Sequence, residues 1–262
     1  MVARSMILLL LWISPLQGWV QPAVVPDATF PHTGRFLGLD ALGRGFSLQD
    51  GVLQMHMEGA LSFSYSNASL GPVTFADMAD PLNILAFHGH FGQVVFLDRN
   101  LSVRQRVPGT LQPGAVVCQS NQDGFWAWYP AENQLVLHNH RGQIQLRSPD
   151  LSPTQHHPGE VVFMAEHQGR LFVAGTGIWV YDLFATFLFH IPYIQAPFFQ
   201  VIDRKILYLE HDQLKVYDFF LQQESVILLP EKGVESFFLA DNLLYLQTGE
   251  ALKKFRFNGN FY

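Results

Sequence analysis

The chain has a single cysteine, Cys118, in 262 residues. That excludes an intrachain disulfide framework and any zinc or iron–sulfur site built on several thiolates. Positive charge is also scarce. Sixteen Lys and Arg stand against twenty-two Asp and Glu, a formal net charge of −6, and this balance repels phosphate backbones and argues against a nucleic-acid partner. No segment is uniformly apolar for the eighteen or so residues that a membrane-crossing helix needs. The motifs of common catalytic machinery are missing as well: no G-x-S-x-G elbow, no H-E-x-x-H and no Gly-rich loop leading into a helix. No stretch sustains the 3.6-residue apolar period of an amphipathic helix.

Apolar side chains make up 48% of the sequence and aromatic ones 14%, enough to build a sizeable core and to exclude disorder over most of the chain. Residues 1–18 read as a secretory signal peptide. Arg4 supplies the cation, Met6 through Ile13 the short apolar run, and Ser14-Pro15 the break, with cleavage expected between 18 and 23. Export to a periplasmic or extracellular location follows, with residues 19–262 as one mature domain and no transmembrane segment in it. No cysteine follows the apolar run, so lipid attachment of the lipoprotein kind is not expected. Two N-x-S sequons, at Asn67 and Asn100, matter only in a eukaryotic secretory pathway.

A pattern of four short apolar runs separated by polar turns recurs six times. Its second run is anchored at Phe46, Ile84, Phe125, Leu171, Leu207 and Leu244, spaced about forty residues apart. The third run ends on a short acceptor side chain, Asp98, Asn139, Asp182 or Asp218, which can close a tight turn by accepting backbone N–H groups. β-Branched and aromatic residues fill the runs, often at consecutive positions, as in strands buried on both faces.

Six such units, with third strands reading Val180-Tyr181-Asp182, Val216-Tyr217-Asp218 and Phe96-Leu97-Asp98, resemble the blades of a six-bladed β-propeller of the broad "VYD" group. The resemblance spans residues 22–262 and implies four-stranded antiparallel blades around an axis. WD40 signatures and the regular Trp motif of quinone dehydrogenases are absent. Innermost strands are expected near 36–40, 73–77, 115–119, 161–165, 198–202 and 236–240. The last blade has only Asn260-Phe261-Tyr262 left after its Asn258-Gly259 turn, so Ala23–Phe30 is expected to supply its fourth strand and close the ring.

Loop order then sorts the aromatic and histidine residues into two faces. On the face formed by the second-to-third turns and the blade-to-blade connections stand His88, His90, Phe91, Trp128, Tyr129, His156, His157, Tyr193 and Ile194. This mixture of aromatic bodies and polar tips marks protein interfaces. The other face holds His138, His140, Asp182, Asp203 and Asp218, read as ordinary turn chemistry. His88-Gly89-His90 and His138-Asn139-His140 have spacings suited to metal binding, but they fall on opposite faces and no acid is placed to complete either shell. No metal or cofactor is therefore expected. Asp77, Glu166 and Asp203 read as turn-closing acids, and Cys118 as a buried small hydrophobe. The favoured function is a non-enzymatic module presenting the first face to a protein or peptide in the cell envelope. The alternative is a hydrolase or lyase acting on a sugar or lactone in the central depression, with or without a metal. That enzyme would need a carboxylate–histidine cluster at the mouth of the axis.

Overall fold

The computed structural model describes residues 23–31, 34–57, 59–249 and 251–258. The expected leader, residues 1–18, lies outside them. No helix occurs among the described residues, and the strands fall into six four-stranded antiparallel sheets. Blade 1 is Arg35–Leu39, Gly45–Gln49, Val52–Met57 and Ala60–Tyr65; blade 2 is Phe75–Asp77, Ile84–His88, Gln93–Leu97 and Val103–Arg106. Blade 3 is Val116–Ser120, Gly124–Tyr129, Gln134–Asn139 and Ile144–Arg147; blade 4 is Phe163–His167, Arg170–Gly175, Gly177–Asp182 and Phe187–Ile191. Blade 5 is Phe199–Ile202, Lys205–Glu210, Gln213–Asp218 and Gln223–Ile227; blade 6 is Ser236–Ala240, Leu243–Thr248, Ala251–Asn258 and, from the other end of the sequence, Ala23–Pro31. The fold is a six-bladed β-propeller.

Around the axis Val116–Ser120 lies against Phe163–His167, Phe163–His167 against Phe199–Ile202, and Arg35–Leu39 against Ser236–Ala240, and each first strand starts within two residues of its expected position. The consecutive apolar runs have the expected cause. Ile84–His88, Gln93–Leu97 and Gly124–Tyr129 are buried at every position, because each middle strand is covered by a blade on either side. The third-to-fourth turns also behave as expected. Asp98 Oδ1 accepts from Asn100 N (2.8 Å) and Ser102 N (2.9 Å), and Asp182 Oδ1 accepts from Phe184 N and Thr186 N (both 2.8 Å). Asn139 and Asp218 do the same for Arg141 and Gln143 and for Phe220 and Leu221.

Ring closure runs as the sequence implies. Ala23–Pro31 pairs antiparallel with Ala251–Asn258, and a register shift between Pro26 and Ala28 absorbs the missing proline donor on an outermost strand. Asp27 Oδ2 lies 2.7 Å from Lys254 Nζ. Where blade 6 meets blade 1, Gln247 accepts from Phe36 N (2.8 Å) and donates to Gly34 O (2.5 Å). Gly38, at φ +136, lets the Phe238 ring approach to 2.5 Å from where a β-carbon would stand.

Similar polar side chains bridge other seams. Gln200 exchanges two hydrogen bonds with the backbone of Leu239, linking blades 5 and 6. Glu166 of blade 4 accepts from Ser120 Oγ (2.7 Å), Trp126 Nε1 (2.9 Å) and Asn121 N (3.1 Å) of blade 3. Asp77 of blade 2 accepts from Gln119 N of blade 3 at 2.8 Å. Asp77 caps its own turn through Ala79 N at 3.0 Å, but Asp77 and Glu166 are inter-blade clips more than the turn closures expected. A side chain suits this task because adjacent blades cannot share a backbone ladder, yet buried N–H and C=O groups still need partners.

Candidate functional site

The structure separates the nine residues expected to form one binding face. His88 is fully buried. Its Nδ1 donates to Gly71 O at 2.8 Å and its Nε2 accepts from Tyr65 of blade 1 at 3.1 Å. Trp128 is only 2% exposed, opposite Val116 and Leu135 within its blade, and it packs into the core between blades 3 and 4. Tyr129 and Ile194 are buried too. These four cannot offer side chains to a partner: His88, Trp128 and Tyr129 are covered near strand ends, and Ile194 turns inward from its connection. Tyr129 also meets His138, which loop order assigns to the opposite face: its hydroxyl lies 3.0 Å from His138 Nε2 while Nδ1 donates to Gly142 O at 3.1 Å. The phenol ring runs along the blade and spans the gap. Burial holds His88 and His138 below the usual imidazole pKa, so both are neutral structural groups.

His90, Phe91, His156 and Tyr193 remain accessible. Phe91 is 57% exposed at the tip of the second-to-third turn of blade 2, over Gly71. Tyr193 is 54% exposed in the connection from blade 4 to blade 5, edge-on to Tyr217 at 5.4 Å. His156 stacks on Phe187 at 4.0 Å, and its carbonyl accepts from Tyr181 Oη at 2.7 Å. His157 is half-buried: Nδ1 accepts from Gly159 N and Nε2 donates to Asn133 Oδ1 at 2.8 Å. In the connection after blade 4, Pro192, Tyr193, Gln195 and Pro197 are exposed. Ile191, Ile194 and Ala196 turn inward.

Around the axis, Phe163 contacts Phe75 of blade 2 (6.2 Å) and Phe198 (5.1 Å), and Phe198 contacts Phe237 (5.6 Å). Aromatic rings therefore fill the end of the axis where the first strands begin. Toward the other end lie Asp77 and Glu166, already committed to the seams, with Cys118 fully buried near them. Burial pushes the Asp77 carboxyl up, and burial with Asp77 and Glu166 nearby pushes the Cys118 thiol well up, away from nucleophilic use. Among the described residues no group of three or more His, Cys, Asp or Glu could hold a metal ion.

A cavity lies elsewhere. A cleft of about 370 Å³ opens between blades 2 and 3 on the face set aside as turn chemistry, lined by Asp80, Pro81 and Asn83 on one side and Asn121, Asp123 and His140 on the other. Gln119 and Ser120 close its base. The first wall is held from behind: Gln119 Oε1 accepts from Asp80 N at 2.7 Å, and Arg104 Nη1 donates to Leu82 O (3.0 Å) and Asn83 Oδ1 (2.5 Å). On the second wall Asp123, in the left-handed region at φ +64, points its mostly exposed carboxylate at His140 Nδ1, 2.7 Å away. A second cavity of about 210 Å³, beside Val107, Tyr129 and His138, is smaller than typical ligand sites.

No protein-family model and no curated protein sequence matches this chain. Solved structures match its fold. The WD40 domain of Neurospora crassa Pan2 superposes with a TM-score of 0.60 at 14% identity, covering 88% of this chain and 76% of that one. BamB from Moraxella catarrhalis gives 0.52 at 13%, covering 86% and 85%. A streptogramin B lyase gives 0.59 at 10%, covering 90% and 97%. At such identities the likeness establishes the propeller and nothing finer, and it reaches a lyase, BamB and a WD40 domain alike.

Proposed function

We propose that this chain is an exported, non-enzymatic β-propeller that binds a protein or peptide partner of the cell envelope through its turns. The observation that carries the reading is a division of labour. The carboxylates nearest the axis are hydrogen-bonded across seams, whereas rigid turns hold Phe91 and Tyr193 more than half exposed. Large aromatic side chains held in the open by a stiff scaffold lose little entropy on binding and bury much area. Hydrolysis or lysis in the central depression has less support, because phenylalanine rings occupy one end of the axis and no free carboxylate meets a histidine there. Export rests on the composition of residues 1–18.

The test is affinity capture from the native envelope fraction with the mature protein and with a Phe91→Ala, Tyr193→Ala double variant. One or more partners should be retained by the wild type and reduced at least about tenfold by the variant, the effect of removing two aromatic anchors. Equal recovery by both proteins would contradict the use of these turns.

A further inference from the structure

The cleft between blades 2 and 3 has a filled counterpart one seam back. In blade 1 the first-to-second turn starts at Asp40, whose Oδ1 accepts from Leu42 N at 2.9 Å, and ends at Arg44 immediately before the second strand. The Arg44 guanidinium is clamped by Asp40 Oδ2 (Nε at 2.6 Å, Nη2 at 2.5 Å). It then reaches across the seam to donate to Pro81 O (2.9 Å) and Arg99 O (2.6 Å) of blade 2. Blade 2 has a related turn that is one residue shorter between its Asp and its second strand. Asp80 Oδ1 accepts from Leu82 N at 2.8 Å, but the residue immediately before the second strand is Asn83, which donates to Asp80 Oδ2 at 2.8 Å and stays on its own turn. Across this seam the turn containing Asn121 and Asp123 stands where Pro81 stands in the previous one. His140, which directly follows the turn-capping Asn139, stands where Arg99 follows Asp98. The cleft is thus the position that Arg44 fills in the neighbouring seam.

We infer that this cleft binds the guanidinium of an arginine side chain presented by the protein or peptide partner, an assignment that rests on the binding reading above. Asp80 supplies a carboxylate that, like Asp40, caps the N–H two residues on, and Asp123 adds a second at the rim. Each carboxylate keeps lone pairs beyond the contacts it makes, so two-point recognition by a planar fork is open to it. Ala79 and Pro81 give an apolar wall for the methylene stem. The volume, about 370 Å³, suits one long side chain and falls at the small end for ligand pockets. The chain's net charge of −6 favours the approach of a basic segment. A saccharide fits less well, because no Phe, Tyr or Trp ring lines the cleft for a sugar face to stack on.

The test is amide NMR of the mature protein titrated with L-argininamide, with L-citrullinamide as the isostere whose neutral urea replaces the guanidinium and glucose as the neutral polyol. Argininamide should give saturable shifts at Asn83, Asn121, Asp123 and Gly124 with half-saturation in the millimolar range, about what one ion-paired side chain can supply. Citrullinamide should bind at least about tenfold more weakly, and Asp80→Asn and Asp123→Asn should each weaken argininamide about fivefold or more. Asn83→Arg should abolish the shifts by supplying the guanidinium internally while the rest of the spectrum stays folded. Absence of saturable shifts, an equal response to citrullinamide, saturation by glucose instead, or indifference to Asn83→Arg would each overturn the assignment. Failure here with partner capture still dependent on Phe91 and Tyr193 removes the arginine socket alone. Guanidinium binding without that dependence removes the loop reading alone.

Discussion

Arg44→Ala should lower the unfolding free energy by about 3–5 kcal/mol, the range for removing one partner of a buried, hydrogen-bonded ion pair. The substitution deletes four contacts at once and strands the Asp40 carboxylate, whose side chain has no solvent exposure. It also leaves Pro81 O and Arg99 O without their donor in the seam between blades 1 and 2. Urea unfolding followed by circular dichroism reads the effect as a lower midpoint at unchanged slope. In a protein of this size the melting temperature should fall by about 10 °C. Arg44→Lys should recover only part of the loss, since an ammonium keeps the charge but not the planar fork that reaches three acceptors. A loss under about 1 kcal/mol for the alanine variant, the value of an ordinary exposed pair, would show that the seam does not depend on this side chain.

Removing the closing strand should have an effect of similar size by a different route. A chain that starts at residue 32 lacks Ala23–Pro31 and with it every rung to Ala251–Asn258. Blade 6 is then three-stranded, and its third strand becomes an unprotected edge. The melting temperature should drop by about 10 °C or more, and the transition should broaden as blades 6 and 1 loosen ahead of the rest. Asp27→Ala separates strand from ion pair. It breaks the contacts to Lys254 and Arg256 and should lower the melting temperature far less than the truncation does, because these groups are solvent-screened. A truncated chain that melts like the intact one would mean that the ring does not close through its N-terminal segment.

Much of the fold is legible in the sequence because its signals are local. The third-to-fourth turns depend on one acceptor followed within four residues by the N–H groups it caps, as at Asp98 and Asp182, and such a motif needs no knowledge of the neighbouring blade. Strand runs and the orphan segment Ala23–Phe30 are equally local. The candidate site is legible only in part, because its facts are relations between blades. His88 carries the same polar signal as His90, yet Tyr65 of the previous blade covers it. Trp128 stands one residue from the end of its strand, close to the turn, but it is packed into the core between blades 3 and 4. Glu166 and Asp77 look like turn acids until the donors from blade 3 are in view. The contrast between Arg44 and Asn83 is visible in sequence once the two turns are aligned on the starts of their second strands, Gly45 and Ile84. Its meaning depends on the reach of a guanidinium across a seam, which periodicity does not report.

Everything above depends on six blades forming one closed ring, and native-state hydrogen exchange tests that directly. The amides of 23–31 that donate to 251–258 should be protected to the same free energy as those joining the second and third strands of blade 6, and should exchange in the same cooperative event as blade 1. Exchange of the 23–31 amides orders of magnitude faster than that of blade 6, with blade 1 unaffected, would contradict the closed ring.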